Sequence, residues 1–372
     1  MICLDYNATT PIAKEVAEAM LPFLNGNFGN PSSTHGMGLA AKEALGHSRA
    51  QVAALLHCKA QEVVFTSGGS ESNNMVLKGV AHSYKNKGNH IITTRIEHPS
   101  ILEPCSFLET LGYEVSYLPV DRFGMVDPSS IEEAIRDTTI LVTVMHSNNE
   151  VGTLEPIGEI GRLCRAHGIL FHTDASQSVG KVPVDVEALG VDFLTLAGHK
   201  LYAPKGIGAL YIREGLHIEP LIHGAGHEGG RRAGTENILL GVGLGKACEL
   251  ALPLVQSGAP SELTTYFYSR LKALFGTAIE LNGHPEQRLP NTLNISFLGH
   301  DGHRILAQLS HLAASTGSAC HAGENSLSPV LRAMGVSEAA GRGAIRFSLG
   351  RPTTRDEVDT VLSWLQGVVV GN

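Results

Sequence analysis

Between Val63 and Ile212, short apolar runs (VVF, HIITT, ILVTV, ILFHTD, FLTLA) alternate with longer segments that carry helical spacing or a glycine-marked turn. Such alternation is the pattern of parallel strands joined by crossover helices, so an α/β chain with a mainly parallel sheet wrapped by helices is expected. In sheets of this kind ligands sit outside the carboxyl ends of the strands. Polar residues fall there repeatedly: Glu97 and His98 after one strand, Asn148 and Asn149 after another, Asp174 and Gln177 after a third, Lys200 after a fourth. Each alone also reads as a helix cap or turn residue; their recurrence at corresponding strand ends points to one site.

A chain of 372 residues exceeds what one hydrophobic core usually sustains, so a large domain with a smaller companion is expected. Beyond about Leu250 the pattern changes: a helix, SELTTYFYSRLKALFG, precedes shorter strand-like pieces, TLNISFLG and AIRFSLGR. The net charge of -8, with no Lys/Arg run longer than Arg231-Arg232, argues against a nucleic-acid partner. Six cysteines without a CxxC pair indicate neither a zinc ribbon nor a disulfide framework, hence no metal site and a reducing compartment. The N-terminus lacks a basic and apolar leader, and no apolar run reaches the ~18 residues a membrane span needs, so a soluble cytoplasmic protein is expected. Gly241, Gly243 and Gly245 imitate a dinucleotide fingerprint, but they lie within a helical pattern that no strand immediately precedes and read as close helix packing.

In QEVVFTSGGSESNN a strand meets a tight turn at Gly68-Gly69, and Ser70 is expected to cap a helix running to about Tyr84. The unpaired N–H groups of that helix start suit a phosphate, although a capped turn without ligand reads equally well. The loop HGAGHEGGRRAGTEN is too long for a simple connector and reads as functional. Lys200, at the end of FLTLAGHK, reads alone as a loop lysine or as an amine held where backbone approaches a ligand. With Asp174 it suggests pyridoxal phosphate, which needs a lysine for its aldehyde and an acid for its ring nitrogen. Gly69 and Ser70 then suit the phosphate, His199 adds a donor, Gln177 suits the phenolic oxygen and His98 the ring face. Cys320 sits beside His321 in the glycine/serine loop STGSACHAGENS and is the candidate nucleophile, whereas Cys164 and Cys248 lie in apolar helical patterns and read as core. Arg346 offers a fork for a substrate carboxylate or, equally, an ion pair.

In order along nearly the whole chain, LDYNATTP, GNPSSTH, FTSGGSESNN, EHPS, NNEVGT, HTDASQS, GHKLYAPKGIGALY, RRAGTEN, STGSACHAG and IRFSLGR resemble the cysteine desulfurases of the iron–sulfur-assembly and nitrogen-fixation type. These are class V aminotransferase relatives of the fold-type I pyridoxal-phosphate enzymes. The resemblance implies a large domain of residues 12–250 around a mainly parallel seven-stranded sheet. It also implies a smaller α+β domain of residues 1–11 with 251–372 that carries the cysteine loop. It implies Lys200 as the Schiff-base lysine, Asp174 and Gln177 on the pyridine ring, His98 stacked and shuttling protons, and Asn149 near the phenolic oxygen. Gly69, Ser70 and His199 are implied at the phosphate, with Thr235 reaching the phosphate of a neighbouring subunit, hence a homodimer. Arg346, Asn149 and Asn30 are implied at the substrate. In the implied reaction L-cysteine takes the place of Lys200 on the cofactor, the freed lysine moves a proton from Cα, and Cys320 attacks the substrate sulfur. Alanine leaves and Cys320 holds a persulfide for an acceptor or scaffold protein.

The chain departs from the family pattern in three places. Ala197 stands where many desulfurases have serine, His321 follows the catalytic cysteine as it does in selenocysteine lyases, and the chain ends soon after Trp364. Selenocysteine lyase is therefore the close alternative activity. An aminotransferase and a pyridoxal-phosphate-binding interaction protein are the more distant ones.

Overall fold

The computed structural model describes residues 1–257, 261–316 and 327–370, so Cys320 and His321 lie outside the described residues. The alternating segment forms a seven-stranded sheet. Its strands are β2 (Val63–Thr66), β3 (His90–Thr94), β4 (Glu114–Leu118), β5 (Thr139–Thr143), β6 (Leu170–Asp174), β7 (Phe193–Ala197) and β8 (Gly208–Ile212); β1 (Ile2–Cys3) lies elsewhere. They are ordered β2-β8-β7-β6-β5-β3-β4. The sheet is parallel except at β8, which pairs antiparallel with both β2 and β7. Every strand but the edge strand β4 is buried along its length, and that is why the runs read as continuous apolar stretches rather than alternating ones.

Successive residues serve opposite faces. Val63, Phe65, Ile92, Val142, Phe171 and Leu194 join one core layer. Val64, Ile91, Leu141, Leu170 and Phe193 join the other. Helices α3 (Gly69–Tyr84) and α4 (Pro99–Glu109) cover the second face through Met75, Leu77, Val80 and Ile101. Helices α1 (Lys14–Asn25) and α2 (Gly36–Leu56) lie against the first, with Val16 and Met20 buried. Leu24, expected on the same stripe, is 56% exposed.

The helix Ile238–Ser257 packs on α2 and α1, and its glycines set the distance. A Cβ on Gly245 would stand 2.6 Å from Ser48 Cα, and one on Gly243 2.8 Å from Met20 Sδ. The close-packing reading of these glycines therefore holds, and the cofactor-fingerprint one does not. The expectation that nothing is apolar enough to span a membrane needs correction on length and composition alone, because residues 238–255 pass that test. Here that helix lies against its neighbours, which is what its three glycines provide for.

A second, three-stranded antiparallel sheet has the order β12-β10-β9, formed by β9 (Ile279–Asn282), β10 (Thr292–Phe297) and β12 (Ala344–Ser348). β9, with burial at its two ends only, was not legible in the sequence. Edge-on pairs Phe267–Phe347 and Phe275–Phe297, at 5.3 and 5.5 Å between centroids, fill the core beneath it. The chain start joins this unit: β1 pairs with β11 (Leu312–Ala313), Leu4 is fully buried in its core, and Leu4 O accepts from Ser348 N at 2.7 Å. Residues 5–10 then cross to the large sheet, where the Thr10 amide and hydroxyl both donate to His199 O at 2.9 Å.

Candidate active site

The carboxyl ends of β6 and β7 and the first turns of α3 and α4 enclose a cleft of about 240 Å³ lined by Lys200, Asp174, Gln177, His98, Asn149 and Gly69, together with Ser70, Ala197 and His199. Lys200 arrives there because β7 ends in a tight turn at Gly198, where a Cβ would lie 2.8 Å from the Ile207 carbonyl oxygen. Its Nζ donates to Asn7 O at 2.7 Å. His199 faces Thr9 Oγ1 at 3.2 Å, and burial with the Lys200 and Lys205 cations pushes its imidazole down to about 4, so the ring is neutral at physiological pH.

Asp174 closes β6 and is almost fully buried. Its two oxygens accept from separate donors, Oδ2 from Asn73 Nδ2 at 2.7 Å and Oδ1 from Ser176 N at 2.9 Å. Asn73 also donates to Ser100 Oγ at 2.8 Å, and Ser100 is bonded to His98 Nδ1 through its amide (3.1 Å) and hydroxyl (2.8 Å). A continuous chain Asp174–Asn73–Ser100–His98 therefore orients the imidazole that caps α4. Packing around His98 and the Lys200 cation lower its pKa, against the opposing pull of Asp174.

Helix α3 begins at Gly69 with Gly68 as N-cap and no side-chain cap bond. Ser70 is thus in the first turn instead of capping it as expected: Gly68, at φ 149°, takes a conformation that favours glycine and leaves no place for a capping side chain. The uncapped start of this 16-residue helix leaves its first N–H groups and the positive end of its dipole at the cleft.

Three expected site residues lie apart from the cleft lining. Arg346 is buried on β12, donating from Nη2 to Asp5 Oδ1 at 2.7 Å and from Nη1 to Asn149 O at 3.0 Å. It reaches the site through the Asn149 backbone and is already ion-paired. Asn30 is exposed and accepts from Ser32 N. Thr235 lines a separate pocket with Thr66, Ser67 and Arg232. Among the described residues no cluster of His, Cys, Asp or Glu is arranged for a metal.

The aminotransferase class V family model matches residues 2–361. Cysteine desulfurase IscS of Dictyoglomus turgidum is 47% identical over 99% of this chain and 94% of its own length. A solved NifS-like protein superposes with a TM-score of 0.93 at 37% identity, covering all of both chains. A second solved protein, SspA in complex with cysteine, has a TM-score of 0.84 at 40% identity over 94% of this chain and 99% of that one. The chain belongs to the cysteine desulfurases of the aminotransferase class V family.

In this desulfurase two site-shaping residues escaped the sequence reading. Asn73 had a weak signal, its place in SESNN one helical turn past the glycines; Asn7 had none, since a loop asparagine does not announce what its carbonyl will accept. Glu97, which reads from the sequence as a polar residue at a strand end, is almost fully buried. Its Oε1 accepts from Thr94 Oγ1 and Met145 N, both at 2.9 Å, while Oε2 has no partner among the described residues. Burial raises its pKa to about 8, the two hydrogen bonds opposing.

That shift fixes a sign. The native chain keeps a proton on Glu97 that the unfolded chain releases near its ordinary 4.5. Stability therefore falls as pH rises from about 4.5 through about 8. Glu97→Gln keeps an oxygen for both donors and removes the titration. The cofactor-free variant is expected to lose less melting temperature than the parent between pH 5 and pH 8, the slope falling by about one proton. Parallel melting curves across that range would refute the assignment. Some slope should persist, because burial also raises Glu155 well above its usual value.

Proposed function

We propose that the chain converts L-cysteine to L-alanine with pyridoxal phosphate and carries the sulfur away as a persulfide on Cys320. The observation that carries this is the convergence on one cleft of an amine (Lys200), a buried carboxylate with two donors (Asp174) and an open helix start (Gly69, Ser70). That donor set fits the cofactor: the amine suits an aldehyde, the carboxylate a protonated ring nitrogen, the helix start a phosphate. Lys200, Asp174, Gln177, His98 and Asn149 would hold its ring, and Gly69, Ser70 and His199 its phosphate, with Thr235 from a second copy in a homodimer. When bound, pyridoxal phosphate supplies an aldehyde for amines and a ring that draws electrons from Cα.

The chain's own residues do the rest. Lys200 Nζ takes the proton from the substrate Cα, and His98, held below its ordinary pKa by burial and the Lys200 cation, offers its imidazole for proton exchange in the cleft. Asn149 would orient the substrate carboxylate in the cleft; Arg346 and Asn30, outside the cleft lining, would join it only by leaving the Asp5 and Ser32 contacts they now make. The Cys320 thiolate bonds to the substrate sulfur as the Cβ–S bond breaks, the electron pair staying with carbon, which takes a proton and becomes the alanine methyl. Residues 12–250 hold the cofactor, and residues 1–11 with 251–372 carry the cysteine to it. The persulfide is then passed to an acceptor protein in the cytoplasm.

Release of sulfide and alanine from L-cysteine in the presence of a thiol reductant tests the reading. Cys320→Ala is expected to lower sulfide release more than about 100-fold while binding the cofactor normally. Unchanged turnover in that variant would sink the persulfide route.

A further inference from the structure

We propose that Lys181 is a positioning residue that locks the Gln177 amide with its N–H groups turned toward the cleft, working together with Asn7. The proposal rests on the reading of the cleft given above. Lys181 lies four residues beyond Gln177, and its Nζ donates to two neutral amide oxygens, Gln177 Oε1 at 3.0 Å and Asn7 Oδ1 at 2.9 Å. The two ends of a glutamine amide are nearly the same shape, so its neighbours decide which end faces a ligand. A lysine nitrogen carries at least two N–H groups in either protonation state, enough for both oxygens. Gln177 Oε1 is thereby held by Lys181, which lines the second cavity and not the cleft, and Nε2 donates to Asn7 O at 3.0 Å. That same carbonyl accepts from Lys200 Nζ at 2.7 Å.

Asn7 is a fixed hub. It is fully buried, its Nδ2 donates to Thr292 Oγ1 at 2.8 Å and Asn149 O at 3.3 Å, and its Oδ1 also accepts from Asn291 Nδ2 at 3.2 Å. With both ends engaged it cannot flip, and neither can an amide tied to it. The cations around Lys181 are Lys200 on the turn after β7, Arg346 on β12 and Arg351 just past it, the last lining a second cavity of about 200 Å³ together with Lys181 and Lys200. Arg346 is neutralised by Asp5. Burial, with Lys200 and Arg346, holds Lys181 well below the usual lysine range. An apolar side chain would avoid the cost of burying an amine there; a donor to Gln177 is what only the amine provides.

The test is a double-mutant cycle on the pyridoxal-phosphate-loaded protein: wild type, Lys181→Met, Gln177→Leu and the double variant, compared in kcat, in KM for L-cysteine and in the visible absorption band of the bound cofactor. Lys181→Met is expected to lower kcat about tenfold with KM within about twofold, and to shift the band. In the Gln177→Leu background the same change is expected to cost less than about twofold. Equal losses in both backgrounds, or an unchanged kcat and band in Lys181→Met, overturn the proposal. If Lys181→Met does not fold, the cycle is run with Lys181→Leu, which likewise has no donor, under the same two outcomes. A wild type that takes up no pyridoxal phosphate overturns the reading of the cleft as well; one that takes it up while the cycle is additive overturns this proposal alone.

Discussion

Lys200→Ala is expected to abolish alanine formation, by a factor above about 10³, and to leave pyridoxal phosphate removable by dialysis. The side chain is set at the end of a buried strand by a turn only glycine tolerates, so the variant should fold and lose the amine alone. Lys200→Arg sharpens the test. A guanidinium keeps the positive charge but never gives up its proton at usable pH. If Lys200 acts as an amine that bonds and carries protons, Lys200→Arg is as inactive as Lys200→Ala. If it served only as a counter-charge, the arginine variant would retain turnover. Alanine release under saturating cofactor and L-cysteine decides between them, and more than a tenth of wild-type turnover in either variant would remove Lys200 from the chemistry.

Asp174→Asn is expected to lower kcat by about 10² to 10³, with a loss of stability of about 1–3 kcal/mol. Both effects follow from the geometry. Each carboxylate oxygen accepts from a separate donor, Asn73 Nδ2 at 2.7 Å and Ser176 N at 2.9 Å. An amide puts its own N–H against one of them, leaving a buried donor pair unmatched. The charge that would hold a ring nitrogen protonated is lost as well. Disturbing Asn73 also disturbs Ser100 and His98, so the pH profile of kcat should change along with its height. Retention of wild-type kcat and profile in folded Asp174→Asn would show that the carboxylate does not serve the reaction.

The elements that proved easiest to read were those whose burial is uniform. β5, β6 and β7 are covered on both faces, and their runs of Ile, Leu, Val and Phe say so without reference to partners. β9, half-exposed, carried no such mark. Helix α3 was legible in extent but not in its cap, because Gly68 sits where Ser70 was expected to act. Among site residues, Lys200, Asp174, Gln177 and His98 stood out by falling at corresponding strand ends, and the fold gathers them at one cleft. Arg346 was readable as a fork and not as a residue already shared by Asp5 and the Asn149 carbonyl.

Order along the chain determined the strand-and-helix alternation, the ends at which polar residues accumulate, and the family to which the motifs belong. These are local properties: apolar periodicity and turn chemistry act over a few residues and need no partner. The tertiary structure alone decided that residues 5–10 leave the small sheet to lie under the cleft, so that one carbonyl, Asn7 O, serves both Lys200 and Gln177. It also decided that a lysine four residues past Gln177 turns inward to two amide oxygens, and that Glu97 is sealed from water with an unmatched oxygen. Hydrogen bonds between residues nearly two hundred positions apart, and the loss of hydration that shifts a buried acid, depend on which surfaces meet, and no stretch of sequence contains that on its own.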